Sequence, residues 1–147
     1  MATTNAKPYD GSLAQPRVDP IPQYGYACRI QNYRAVITLA SQASGDDIRL
    51  FRLPAGCYPL RGWMTASATL GASATVAIGI AGATGKYRAA ATFTAANTPT
   101  PFMVTDANVT SGLPVPLATS ELVLLTIAVA ALPGSGTLIV DMEVAVP

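Results

Sequence analysis

Leu138, Val140, Met142, Val144 and Val146 alternate along the last stretch of the chain with Ile139, Asp141, Glu143 and Ala145. A period of two sends the first set to one face of a strand and the second to the other, so this stretch predicts a strand with one apolar and one mixed face. Val76, Ile78 and Ile80 alternate in the same way with Ala77, Gly79 and Ala81. Comparable runs bounded by Gly, Pro, Asn and Asp predict strands near residues 27–31, 33–40, 47–53, 57–66, 86–94, 100–105 and 121–130. The expected total is about nine strands.

Helix is the competing expectation, because the chain holds 26 alanines and alanine is the best helix former. These alanines do not recur at helical spacing with large apolar partners. They alternate with Thr, Val and Ile, and the 16 threonines favour sheet.

Turn chemistry fits strands. Leu53-Pro54-Ala55-Gly56 and Leu132-Pro133-Gly134-Ser135-Gly136 each separate two strand patterns with the residues that tight turns use. Gly82-Ala83-Thr84-Gly85 is expected at a hairpin turn, and Gly79 on the small-residue face of its strand would admit a close backbone approach. The long irregular piece from Thr105 to Thr119 reads as the Greek-key crossover between two sheets rather than as a functional loop.

Residues 1–25 differ in kind. Pro8, Pro16, Pro20 and Pro22 stand there with no sustained apolar period, and prolines at that density hold a chain extended. The predicted organisation is therefore a proline-rich N-terminal arm over 1–25 and a domain over 26–147. The fold class is all-β: a jelly-roll-like β-sandwich that buries one face of each sheet.

Composition makes the surface the unusual part. Charged residues are 12% of the 147, against about 25% typically, while hydrophobic residues reach 50% and mean hydropathy is +0.37. Such a chain either lies in a membrane or covers apolar surface with partners. The longest apolar run, Leu122 to Leu132, is interrupted by Thr126 and closed by Pro133, well short of the ~20 residues of a spanning helix. The N-terminus lacks the apolar core of a secretory signal. The expectation is a soluble protein that works in an assembly.

Gly79 to Tyr87, GIAGATGKY, has the look of a phosphate-binding loop and fails as one. G-x-x-x-x-G-K-[ST] needs glycine where Ile80 stands and Ser or Thr where Tyr87 stands. The chain has no histidine, which removes Ser-His-Asp and Cys-His nucleophile systems and most zinc sites. Cys28 and Cys57 form no C-x-x-C pair and read as buried thiols, with a disulfide between them left open. Asp141 and Glu143 share one strand face and could be drawn as a glycosidase pair, but charges on an alternating strand serve solubility alone. Asp46-Asp47 has turn composition and falls short of a calcium loop. No catalytic residue, cofactor or metal site is expected.

The net charge is +1, with Lys and Arg scattered singly, whereas nucleic-acid binding wants a basic cluster. Tyr24, Tyr26 and Tyr33 gather where the arm meets the first strands, and Tyr58 and Trp63 flank Arg61. Tyr and Trp carry large area with a polar tip and suit interfaces. The candidate contact residues are Arg17, Tyr24, Tyr26, Tyr33, Trp63 and Lys86, the last either solvated or touching an acidic patch on a neighbour.

The order of segments carries a further signal. DDIRLFRLPAGCYPLRG, then ATLGASATVAIGIAGATGKYRAAATFTAANTPTPF, then AALPGSGTLIVDMEV resembles small tailed-phage virion proteins that decorate or cement the capsid, over residues 33 to 146. The resemblance implies a jelly-roll sandwich on the outer surface of an HK97-type shell. Its partners would be the major capsid protein and a second copy in a homodimer spanning joints between capsomers. It implies assembly in the host cytoplasm, with no membrane and no direct nucleic-acid contact. No binding motif transfers residue by residue. A head-fibre or adhesin module binding host glycans is the alternative, and it would need exposed aromatics beside Asn or Asp.

Overall fold

The computed structural model describes residues 29–103, 109–110 and 113–146. Every regular element among them is a strand: β1 (Arg29–Thr38), β2 (Asp47–Leu53), β3 (Tyr58–Ala66), β4 (Thr75–Ile80), β5 (Ala83–Thr92), β6 (Thr100–Phe102), β7 (Val109–Thr110), β8 (Leu113–Pro114), β9 (Glu121–Ala128) and β10 (Thr137–Val146). Two four-stranded antiparallel sheets run in the orders β1-β10-β3-β6 and β2-β9-β4-β5, with β7 and β8 as a separate short pair. Within the four-stranded sheets only β4 and β5 are neighbours in both chain and sheet. Every other pairing within the four-stranded sheets is made by a crossover, which gives the jelly-roll-like sandwich that the strand pattern predicts.

Two expected strands are one. The described parts of the runs expected at 27–31 and 33–40 meet in a single β1, paired with β10 at every position from Arg29↔Val146 to Thr38↔Thr137. Asn32 does not interrupt it because its side chain falls on the exposed face, where a polar residue matches the alternation. The strand expected over 100–105 stops at Phe102, with Met103 at φ 61°, and β9 stops short of 130, with Val129 at φ 71°. Within the 105–119 stretch lie β7 and β8, which the sequence pattern did not indicate. As expected, that stretch leads from one sheet (β6) to the other (β9).

The core is the set that the alternation selects. Leu138, Val140, Met142 and Val144 of β10 lie beside Met64 and Ala66 of β3 and join Leu125, Ile127, Val76 and Ile78 of the opposite sheet in one core, all without solvent exposure. Each such aliphatic side chain contributes about 1.5–3 kcal/mol by leaving water. No charged or strongly polar side chain among the described residues is buried in it. No described helix is long and apolar enough to cross a membrane.

The loops at one end are laced by backbone bonds: Leu39 N–H donates to Gly136 O at 2.9 Å, Ser41 N–H to Pro133 O at 3.0 Å and Ser67 N–H to Thr137 O at 2.8 Å. The Gly56 turn (φ 79°) and Gly136 turn (φ 120°) fall where their Pro-Gly sequences predict. The β4–β5 hairpin turns two residues earlier than expected, at Ala81-Gly82, with Gly82 at φ 82° and Ile80 paired with Ala83. Extra residues on β5 are absorbed as a bulge beside Gly79. A Cβ at Gly79 would fall on the carbonyl oxygens of Ala83 and Thr84, so the close backbone approach expected there is present.

Candidate interaction surface

The outer face of the β1-β10-β3-β6 sheet carries the polar half of the β10 alternation. Asp141 lies between Arg34 of β1 and Trp63 of β3, and Glu143 between Asn32 and Arg61. Antiparallel register makes these cross-strand neighbours, so opposite charges meet side by side. Arg34 Nε and Nη2 donate to the two oxygens of Asp141 at 2.6 and 2.9 Å, a bidentate pair. The hydrogen bond to Asp141, then its charge, holds the Arg34 guanidinium above its ordinary pKa. Arg61 Nε donates to Glu143 at 2.7 Å. Its guanidinium also lies 5.2 Å from the centre of the Trp63 ring, within cation–π range. Both carboxylates of the conceivable glycosidase pair are thus engaged by arginine.

Beside the Arg34–Asp141 pair lies a shallow depression of about 390 Å³ lined by Asn32, Arg34, Trp63, Pro99, Ile139 and Asp141. It combines an indole, a proline ring and an aliphatic side chain with one ion pair. Beside it Ile30 and Val36 project from β1, 63% and 62% exposed. Sequence reasoning missed these two because they occupy the polar phase of an edge strand, where an apolar residue reads as noise. Val129, 73% exposed at φ 71° just after β9, was missed because the apolar pattern carries the expected strand on to residue 130.

The three described candidate contact residues, Trp63, Tyr33 and Lys86, do not lie together. Trp63 is on the outer face. Tyr33 is on the other side of the same sheet, half-buried, its ring 5.6 Å from Phe51 and its hydroxyl donating to Gln31 Oε1 at 3.1 Å. Lys86 belongs to the second sheet, where the β5 bulge brings its ammonium to Glu121 Oε1 at 2.5 Å while Tyr87 donates to Glu121 Oε2 at 2.6 Å. Its ionic partner is therefore within its own chain. Arg17, Tyr24, Tyr26 and the arm lie outside the described residues, as do Cys28 and Asp106 and Asn108 of the long crossover. Cys57 is wholly buried, which pushes its thiol pKa up. Asp46 closes its turn by accepting from Ala43 N–H at 2.9 Å. No cluster of metal-binding side chains occurs among the described residues.

No family model matches the chain and no curated protein matches its sequence. Solved structures do match its fold. A chain of the cyanophage Pam1 capsid asymmetric unit is similar over 100% of both chains, with a TM-score of 0.65 and 20% identity. A chain of the capsid of Ralstonia phage GP4 is similar over 89% of this chain and 92% of that one, with a TM-score of 0.59 and 20% identity. At that identity the likeness establishes a common fold.

Proposed function

We propose that the protein is a structural component of a phage virion, bound as a dimer to the outside of an HK97-type shell, where it cements the major capsid protein across joints between capsomers. The observation that carries this reading is the end-to-end likeness to a chain of the cyanophage Pam1 capsid asymmetric unit. The sequence resemblance to capsid-cementing proteins points the same way.

The surface suits the role physically. Arg34, Arg61 and Lys86 each have a carboxylate partner in the same chain, which leaves them poor ligands for nucleic acid. The Trp63 depression and exposed Ile30 and Val36 offer apolar area for a protein partner. One such contact is weak, but a shell carrying many copies joins each capsomer several times, and effective concentration multiplies the hold.

The test is to mix the purified protein with shells that lack it. Saturable co-sedimentation at a fixed number of copies per shell, with a higher bursting temperature, is the expected result. Virions that carry only a few copies, or carry them on the tail, would overturn it.

A second reading has one observation in its favour: Trp63 with Asn32 and Asp141 beside it is the aromatic-plus-polar combination that a glycan site needs. Against it, both oxygens of Asp141 are already taken by Arg34. A glycan array without hits would remove it.

A further inference from the structure

The two four-stranded sheets have four edges, and three of them are blunted. β6 is three residues long with Pro101 at its middle, and proline gives no ladder donor. β2 is bulged between Arg49 and Phe51. β5 shifts register twice against β4, and the Arg88 guanidinium folds onto the carbonyls of Val76, Ala91 and Thr92 there. β1 has none of these devices. It is ten residues long, contains no proline, and keeps one register with β10 throughout.

Its free hydrogen-bonding positions can be assigned. The bond from Leu39 N–H to Gly136 O continues the β1–β10 register, so odd-numbered positions bond to β10. By the alternation of an antiparallel ladder, the N–H and C=O of Ile30, Asn32, Arg34 and Val36 then point away from the sheet. Among the described residues no strand meets them. The next such carbonyl, Thr38 O, accepts from Gln42 Nε2 at 2.8 Å, which closes the free run at Val36.

That run is self-complementary. Ile30 and Val36 lie three residues either side of Tyr33, and both are exposed. A two-fold axis at Tyr33 sets Ile30 opposite Val36 of a second copy and Asn32 opposite Arg34, with both bonds exchanged in each pair. The two Tyr33 side chains then meet at the axis as a non-hydrogen-bonded pair, the kind in which facing side chains come closest. Moving the axis to Arg34 sets arginine against arginine, and moving it to Asn32 sets Ile30 against arginine. An axis between residues brings outward-bonding positions against inward-bonding ones and makes no ladder.

We propose that β1 pairs antiparallel with β1 of a second copy about an axis at Tyr33, which joins two β1-β10-β3-β6 sheets into one continuous sheet. This names the surface of the dimer in the proposed function. It rests on that reading for its place on the shell, while the pairing itself is measured in solution without one.

Sedimentation equilibrium on the full chain is the test. The wild type gives the mass of two copies. Asn32→Pro removes one outward donor while leaving the β1–β10 ladder intact, and Val36→Lys places an edge charge against Ile30 of the second copy. Each raises the dimer dissociation constant at least about tenfold. Adding Ile30→Asp to Val36→Lys sets opposite charges across the axis and restores the two-copy mass, which a mere loss of folding would not do. A one-copy wild type, a dimer indifferent to both single variants, or a double variant as dissociated as Val36→Lys would overturn the pairing. Co-sedimentation with shells, measured separately, would still stand or fall on its own.

Discussion

Tyr87 donates its phenolic hydrogen to Glu121 across 2.6 Å, and Lys86, its neighbour in the chain, holds the other oxygen of the same carboxylate. Tyr87 is only 3% exposed. Burial first, then the hydrogen bond to the carboxylate, pushes its pKa far above the ordinary phenol value. The raised pKa means that the folded state keeps this proton when the unfolded chain would release it. Its contribution is complete below about pH 10 and is lost as pH rises above that, by up to about 1.4 kcal/mol per pH unit.

Tyr87→Phe should therefore cost about 1.5–3 kcal/mol at neutral pH, the worth of a hydrogen bond to a charged group. Above pH 10 the gap between variant and wild type should close, because phenylalanine has no proton to lose. Denaturant unfolding at pH 7, 9, 10.5 and 11 measures both effects. A constant gap across that range would show that the raised pKa does not bear on stability.

Gly79→Ala should be more damaging than Gly82→Ala in the same hairpin. At Gly79 the new methyl meets backbone carbonyls of Ala83 and Thr84 that cannot rotate away, and overpacking of this kind costs about 1–3 kcal/mol or more. At Gly82 there is open space and the penalty is only that of φ 82°, about 1–2 kcal/mol. Melting temperatures of the two variants check the order.

Val129→Gly should stabilise the isolated protein. A β-branched residue at φ 71° is strained, and with the side chain 73% exposed little packing is lost. The expected gain is about 1 kcal/mol, read from a denaturation midpoint.

Trp63→Ala should leave melting nearly unchanged and lower the number of copies that co-sediment with shells. The indole is a half-buried surface group held by Arg61 rather than a core residue. Unchanged occupancy would move the shell contact off this face.

Deleting residues 1–24 should leave the sandwich folded, because every described strand begins at Arg29 or later, and should weaken shell binding. Circular dichroism and co-sedimentation of the truncated protein separate the two effects. Full binding by the truncated protein would make the arm passive.

Much of this fold was legible because a two-residue period has one physical meaning when one sheet face is buried. The β10 alternation named Leu138, Val140, Met142 and Val144 as core before any contact was known, and they are fully buried. Strand ends were less legible. Asn32 reads as a break only if one forgets that a polar residue belongs on the outer phase, and the end of β6 is marked by a left-handed Met103 that no propensity predicts.

The candidate surface divides in the same way. Tyr33, Trp63 and Lys86 were chosen by chemical type, and type does not tell which of two faces, or which of two sheets, a side chain occupies. By itself the sequence determined an all-β body built on two-residue alternation, no histidine chemistry and a surface poor in charge, because these follow from local periodicity and composition. Only the tertiary structure decided that Asp141 meets Arg34, that Lys86 is held by Glu121, and that β1 is left as the one unblunted edge among the described strands. Those depend on which strands become neighbours and in what register, and that is settled by the packing of the whole sandwich rather than by any stretch of chain.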